Sequence, residues 1–428
     1  MNGQSLSLDA KAAAEHRRAT NRLLVFFALV YVVEGVGQVV GLIAQPLSFY
    51  LKEGQGWTAL EVSAYLTIFN FPWIIKPLYG AFSDFVPLFG YRRKPYLLAA
   101  NLVAAGAFFW VTQLTAPDQL FWALELTAYA MAISSTVCGA VLVENGQRFG
   151  ESGRFVNQQW LWFNAAAMVA SIVGGELTQR LPPASALHVA ASIVAIAPLA
   201  VVFGTIFLIP DKKTPIDLVA LRATFGSLVA AFRRRELLIV GLFLFLYYFN
   251  PGLGTPLYYY MTDDLKFSQS YIGVLGSIGA AGWVVGALLY RRLFDELSSK
   301  RLLNLSIALG TLTTAAYIFL DGEISAAMLS FCSGFAAMLA TVATVTLAAD
   351  HVPPRSEGFS FAVMMSIINL STSLSGTFGA YLFDHFFHKG LAPLILLSAA
   401  FTAFAFVLVP LLRLGDKKQG QPVGAPLG

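Results

Sequence analysis

The sequence predicts an all-α membrane protein with twelve transmembrane helices arranged as two six-helix halves. Three observations lead there: a composition unsuited to water, a series of apolar runs each long enough to cross a bilayer, and basic residues confined to alternate loops. The chain of 428 residues is 57% hydrophobic and only 12% charged, whereas a soluble domain carries about 25% charged residues. A surface so poor in charge would aggregate in water, so lipid is the solvent for most of it. The net charge of +4 is small, and no nucleic-acid partner is expected. Cys138 and Cys332 lie inside apolar runs and offer neither a disulfide framework nor a metal-ligand spacing. The first 22 residues are polar and basic, with no short apolar core and cleavage site; the first helix is expected to be its own insertion signal.

A helix needs about 20 apolar residues to cross the hydrocarbon layer. Runs of that kind occupy 23–50, 58–82, 96–114, 120–143, 157–178 and 187–209, then 237–261, 269–290, 302–320, 324–348, 359–383 and 391–412. The divisions at 115–119 and 321–323 are the shortest. Of the 28 basic residues, 23 fall in the two tails and in every second loop, four (Lys52, Arg180, Lys266, Lys389) fall in the opposite loops, and Lys76 lies inside a span. Basic loops stay in the cytoplasm. Both termini are therefore expected there, in a multi-pass protein of the inner (plasma) membrane.

The longest loop, 210–236, carries Lys212, Lys213, Arg222 and the Arg233–Arg235 run and separates six spans from six. The expected organisation is an N-tail 1–22, a first bundle 23–209, the cytoplasmic linker 210–236, a second bundle 237–412 and a C-tail 413–428. At an offset of 206 residues Gly80 matches Gly286, Lys94 matches Lys300, Glu144 matches Asp350 and Glu151 matches Glu357. These matches fall at equivalent helix ends. Repeated six-helix halves are the major facilitator fold, with the solute site near the midplane between them.

Residues 72–97, PWIIKPLYGAFSDFVPLFGYRRKPYL, resemble the signature of the folate–biopterin transporter family, a branch of the major facilitators. The likeness extends to FYLKE at 49–53, to the helix-7 stretch beginning FLFLYYFNPGLGTPLYYY, and to Pro353, Pro354, Glu357, Ser366 and Asn369 near helix 11. The resemblance implies uptake of pterin or folate, usually by proton symport. It also implies two helix-4 aspartates ahead of a Val-Val-Glu; here Ser135 and Gly139 occupy those positions before Glu144, and Glu34 stands in helix 1 where the family commonly has glutamine.

Glu34 lies about twelve residues into the first span, roughly 18 Å along it at 1.5 Å per residue. An ionised side chain that deep costs on the order of 2.5–3.5 kcal/mol on insertion scales, so it should face a cavity or a partner. Glu34, Gln38, Gly41 and Gln45 recur at helical spacing as one polar stripe. Glu34 is expected to bind a proton or a solute nitrogen, the alternative being a hydrogen bond to a neighbouring helix. Gln38 and Asn70, and Tyr247 with Asn250 on the face shared by Gly254 and Tyr258, are the further cavity candidates; Asn164 and Asn369 are weaker ones that interhelical packing explains equally. Tyr259 and Tyr260 are expected in an interfacial aromatic belt. Gly80, Asp84, Arg92 and Arg93 form a gating loop in which Asp84 accepts from a helix terminus or an arginine of the opposite half. Lys76 is grouped with that loop as a shallow residue that snorkels or pairs with a loop carboxylate, the alternative being that it receives an anionic solute. Glu125 and Glu176 are expected to be solvated.

No nucleotide-binding loop or metal spacing is present, so neither enzyme activity, cofactor nor metal is expected. The leading reading is a monomeric secondary transporter, proton-linked or facilitative, for a small, flat, polar solute such as a pterin, by alternating access. With no arginine in any span and Lys76 shallow, a neutral pterin or sugar-like solute suits the site better than dianionic folate. Two alternatives stay open: a muropeptide- or sugar-type facilitator, and a non-transporting membrane factor that binds a pigment or a partner protein.

Overall fold

The computed structural model describes residues 2–38, 41–210, 213–216, 235–294, 297–350 and 357–412, with positions 219 and 226. Most of the linker 210–236, residues Pro353 and Pro354 and the tail 413–428 lie outside the described residues. Among the described residues every named element is helical, and nine helices are long and apolar enough to cross a membrane. These nine are spans 1 (Asn2–Gly37), 3 (Lys94–Val111), 4 (Pro117–Phe149), 5 (Ser152–Arg180), 6 (Pro183–Leu208), 8 (Gln269–Leu293), 9 (Ser299–Ala316), 10 (Glu323–Asp350) and 12 (Leu391–Leu408). Span 11 is Glu357–His385, and spans 2 and 7 are broken helices, which completes twelve.

The local sequence explains the starts and the breaks. Span 2 opens with a capping box: Thr58 Oγ1 accepts from the Glu61 amide at 3.3 Å, and Glu61 Oε2 accepts from the Thr58 amide at 2.8 Å. It then runs as Ala59–Ile68, Phe71–Ile74 and Lys76–Phe85, because Pro72 and Pro77 each remove an amide from the ladder. Span 7 runs as Arg235–Tyr248 and Thr255–Asp263, parted by Pro251 and by Gly254 at φ 104°. Prolines sit in the first turns of spans 3, 4 and 6, where a missing amide costs nothing.

Span 1 departs from the sequence reading. It ends at Gly37, resumes as Ala44–Phe49 and finishes in a π-helical turn, Tyr50–Gly54. The expected Glu34–Gln38–Gly41–Gln45 stripe is therefore split. Glu34 and Gln38 stay together, whereas Gln45 belongs to the far piece and donates to Gln269 of span 8. The Tyr247–Asn250–Gly254–Tyr258 face is divided by the break in span 7 in the same way.

Span 1 packs on spans 5 and 6, span 3 on spans 4 and 6, and span 2 on span 4. Adding six to each number gives the contacts of the second half: 7 on 11 and 12, 9 on 10 and 12, and 8 on 10. The halves meet along spans 5 and 8 and along spans 2 and 11. Each half has its own apolar centre, one built on Phe26, Phe27, Leu97, Phe108 and Phe155, the other on Phe243, Leu244, Tyr247, Leu302 and Leu339.

Gly35 sets how closely span 1 approaches span 5: a methyl there would stand 2.6 Å from the Phe163 carbonyl oxygen and 2.9 Å from Ala166 Cβ. Gly35→Val is expected to lower stability by about 1–3 kcal/mol through overpacking, measured as a lower melting temperature in detergent. A variant melting with the parent would show that the two helices separate freely here.

Candidate functional site

Glu34 is 8% exposed, three residues before the break in span 1. Its Oε1 accepts from Gln38 Nε2 at 2.8 Å and from Ser135 Oγ at 2.9 Å. Lys76 Nζ donates to the same Ser135 Oγ at 3.0 Å and lies 4.4 Å from the centre of the Trp73 ring. Three spans thus supply one polar chain, Gln38–Glu34–Ser135–Lys76, backed by an aromatic face. Glu34 Oε2 is buried and, among the described residues, has no hydrogen-bond partner. A carboxylate oxygen left bare in a low-dielectric interior is costly unless something arrives to use it.

This arrangement corrects the reading of Lys76. It is neither a shallow snorkelling residue nor a partner of the gating loop, because its ammonium meets Ser135 near the middle of the 33-residue span 4. The breaks at Ile68–Phe71 and at Ile75 re-aim the last segment of span 2 and bring Lys76 beside Glu34. Sequence reasoning missed Ser135 and Trp73 as site residues. The signal for Ser135 was its place at an expected aspartate.

The remaining candidates are dispersed. Asn70 sits at the first break of span 2, where its carbonyl accepts from the Trp73 and Ile74 amides at 3.0 and 3.2 Å. Asn164 Nδ2 returns to the Trp160 carbonyl of its own helix at 2.8 Å. Asn369 Nδ2 donates to the Trp73 carbonyl at 3.2 Å, tying span 11 to the helix that carries Lys76. Asn250 lies in the break of span 7, and its Oδ1 is buried without a donor. Tyr247 does not face Glu34; it is buried in the second half's own core, stacked on Phe243 at 5.7 Å. Tyr259 is no belt residue either, since it is 5% exposed and donates to the Trp57 carbonyl at 2.6 Å. Glu125 is buried, not solvated, and its Oε2 has no partner. Glu176 is exposed and pairs with Arg180 at 2.8 Å.

The loop between spans 2 and 3 turns at Phe89 and Gly90, both with positive φ, and the Tyr91 amide donates to Leu88 at 2.9 Å. That turn presents Arg92 and Arg93 to span 4. Arg93 is 5% exposed and donates to Ser83 Oγ at 2.8 Å, Asp84 Oδ1 at 2.5 Å and Glu144 Oε1 at 2.5 Å. Arg92 shares the same Glu144 oxygen at 2.5 Å. Burial opposes the Arg93 charge, but the hydrogen bond and charge of Glu144 together with Asp84 outweigh it and hold the guanidinium above its ordinary value. Asp84 was expected to accept from a helix terminus or an arginine of the opposite half; among the described residues its arginine contacts are Arg92 and Arg93 of its own half. Gly80, at the head of this loop, faces Thr136 of span 4, which a methyl there would meet at 3.7 Å. Arg93→Ala removes the buried guanidinium while Arg92 stays on both half-exposed carboxylates, and an expected loss of about 1–2 kcal/mol follows. Arg93→Lys should recover only part of it, because one ammonium does not span three acceptors. Thermal melting of both variants checks this, and a parental melting temperature for Arg93→Ala would refute it.

Among the described residues no group of three or more His, Cys, Asp or Glu is placed to hold a metal. The arrangement is that of a polar site within a bundle.

Solved structures share this architecture. The nucleoside transporter NupG superposes with a TM-score of 0.70 at 15% identity, covering 93% of this chain and 100% of that one. The D-xylose-proton symporter gives 0.66 at 16% identity, covering 94% and 100%. At such identities the likeness is one of fold, the two-half major facilitator arrangement. Among curated sequences, the folate-biopterin transporter of Synechocystis sp. is 28% identical over 408 residues, 90% of this chain and 81% of that protein. Folate transporter 2 of Plasmodium falciparum is 24% identical over 413 residues, 90% and 88% of the two chains. The profile of the BT1 family matches residues 35–416, from beside Glu34 to past the last span. The chain belongs to the BT1 family.

Proposed function

We propose that this protein is a secondary transporter that moves a small, flat, folate- or pterin-like solute by alternating access, with Glu34 as the group that exchanges a proton or a solute N–H. The observation that carries the reading is the bare Glu34 Oε2 at the end of the Gln38–Glu34–Ser135–Lys76 chain. A pterin edge offers adjacent N–H donors and a carbonyl acceptor, which suit a carboxylate and an ammonium held apart by one hydroxyl. Trp73, already under the Lys76 ammonium, supplies an aromatic face against which a ring can stack. With Lys76 in the site rather than at the surface, an anionic solute also has a cation to meet. The names of the related proteins point to the same solutes.

In this reading the protein is a monomer in the inner (plasma) membrane with both termini in the cytoplasm. The Arg93 loop then lies on the cytoplasmic face and Lys52 on the outer one. Purified protein in proteoliposomes, offered labelled pterin, folate, sugar and muropeptide with and without a proton gradient, tests the proposal. Saturable pterin or folate uptake driven by the gradient is the expected result. Uptake of sugar or muropeptide alone overturns the solute, and uptake unaffected by the gradient overturns the coupling.

A further inference from the structure

Among the described residues, polar contacts between the two halves cluster at one end of the molecule, with others deeper in the bundle at Thr67, Ser277 and Asn369. At the Arg93 end, the ion pairs of Asp84, Arg92, Arg93 and Glu144 seen among the described residues lie within the first half. At the opposite end Gln45 donates to Gln269 at 2.7 and 2.9 Å, Tyr259 to the Trp57 carbonyl, the Leu60 amide to Asp384 at 2.7 Å, and the Gln269 amide to Gln179 at 2.9 Å. Lys52 stands among them. Its ammonium donates to Thr262 Oγ1 at 2.7 Å and to Asp263 in the second half, and to Glu53 at 3.1 Å in its own. It also lies 4.9 Å from the centre of the Tyr259 ring. Among the described residues Lys52–Asp263 is the one ion pair that joins the halves.

We infer that Lys52 and Asp263, with Thr262 and Tyr259, form the lock that holds this end shut and that must part for it to open. Three features support this. Lys52 is 8% exposed, whereas the carboxylates that hold it, Asp263 and Glu53, are 44% and 47% exposed, so one partner is already at the water's edge. A cleft of about 260 Å³ lies over the pair, lined by Trp57, Thr58, Tyr259, Asp384 and Lys389 among others, and gives water a way in. Lys52 also projects from the π-helical turn Tyr50–Gly54, a local winding that is rare and recurs at functional positions. An ion pair suits a reversible seam better than apolar packing does. Its attraction when closed is nearly offset by the hydration both charges regain when parted, so the two states stay close in free energy.

The inference rests on the alternating access proposed above, but it is read out as a distance, which a wrong solute assignment leaves untouched. Spin labels at Gln55→Cys and Asp264→Cys, both exposed positions on opposite halves, are introduced with Cys332→Ser; Cys138 is buried. In liposomes the parent should show one short separation. Lys52→Met and Asp263→Asn should each raise the longer-separation fraction by about tenfold, and the double variant by no more than the larger single shift, because all three break the Lys52–Asp263 pair. Asp263→Asn alters only a half-exposed carboxylate, so it carries the test if Lys52→Met folds poorly. An unchanged distribution in Asp263→Asn overturns the lock, as does a double variant whose shift equals the product of the two single shifts.

Discussion

Glu34→Gln is expected to abolish gradient-driven accumulation in a carrier that still folds. Glutamine keeps the Oε1 acceptor that receives Gln38 at 2.8 Å and Ser135 at 2.9 Å, so the local packing survives. What it loses is the second carboxylate oxygen, buried and unpartnered in the parent, which is the atom free to take a proton. Without a group that changes charge inside the site, a proton gradient has nothing to act on, and an uncharged solute should distribute to an inside-to-outside ratio of unity. Uptake into proteoliposomes at fixed external pH measures that ratio. Undiminished accumulation by the variant would remove Glu34 from the mechanism. The geometry offers a companion experiment. Ser135 Oγ is 3.0 Å from Lys76 and 2.9 Å from Glu34, so Ser135→Asp in the Glu34→Gln background places a carboxylate one helix away but among the same neighbours. Accumulation should partly return. If it does not, the position of the acid matters and not only its presence.

The span positions and the two-half plan were legible because they depend on amounts: lengths of apolar sequence and counts of basic residues on alternate loops. The site was less so, because it depends on register between helices. Counting back from Asp84 placed Lys76 near a membrane face, yet the partner a side chain meets is set by the neighbouring helix and by the two breaks in span 2. Pro72 and Pro77 announced those breaks. The break in span 1 had no such sign, since only Gly37 and Gly41 mark it and the first proline, Pro46, comes after the helix has resumed. A continuous helix was therefore assumed, and Gln45 was put on one stripe with Glu34 when it belongs to the seam. Ser135 was visible only as a missing aspartate. Its role as the hydroxyl shared by an acid and a base needs both partners, from spans 1 and 2, on the page.

Lys76→Met should show that those two partners act as a pair. Removing the ammonium leaves Glu34 buried without a nearby cation, and a loss of about 3 kcal/mol is expected for stripping one member of a buried charge pair. Glu34→Gln alone should cost less, because Lys76 keeps both the Ser135 hydroxyl and the Trp73 face. The double variant leaves no charge unmatched, so it should melt close to the parent although transport is gone. Melting temperatures of the four proteins form a cycle, and a double variant that loses the sum of the two single losses would mean that the charges do not sense each other. The same substitution separates the solutes. An anionic folate-type ligand should bind Lys76→Met at least about tenfold more weakly, equivalent to about 1.4 kcal/mol, while a neutral pterin, held by Glu34 and the ring of Trp73, should lose far less. Equal losses for both would place Lys76 in the scaffold and leave the solute's charge to be met elsewhere.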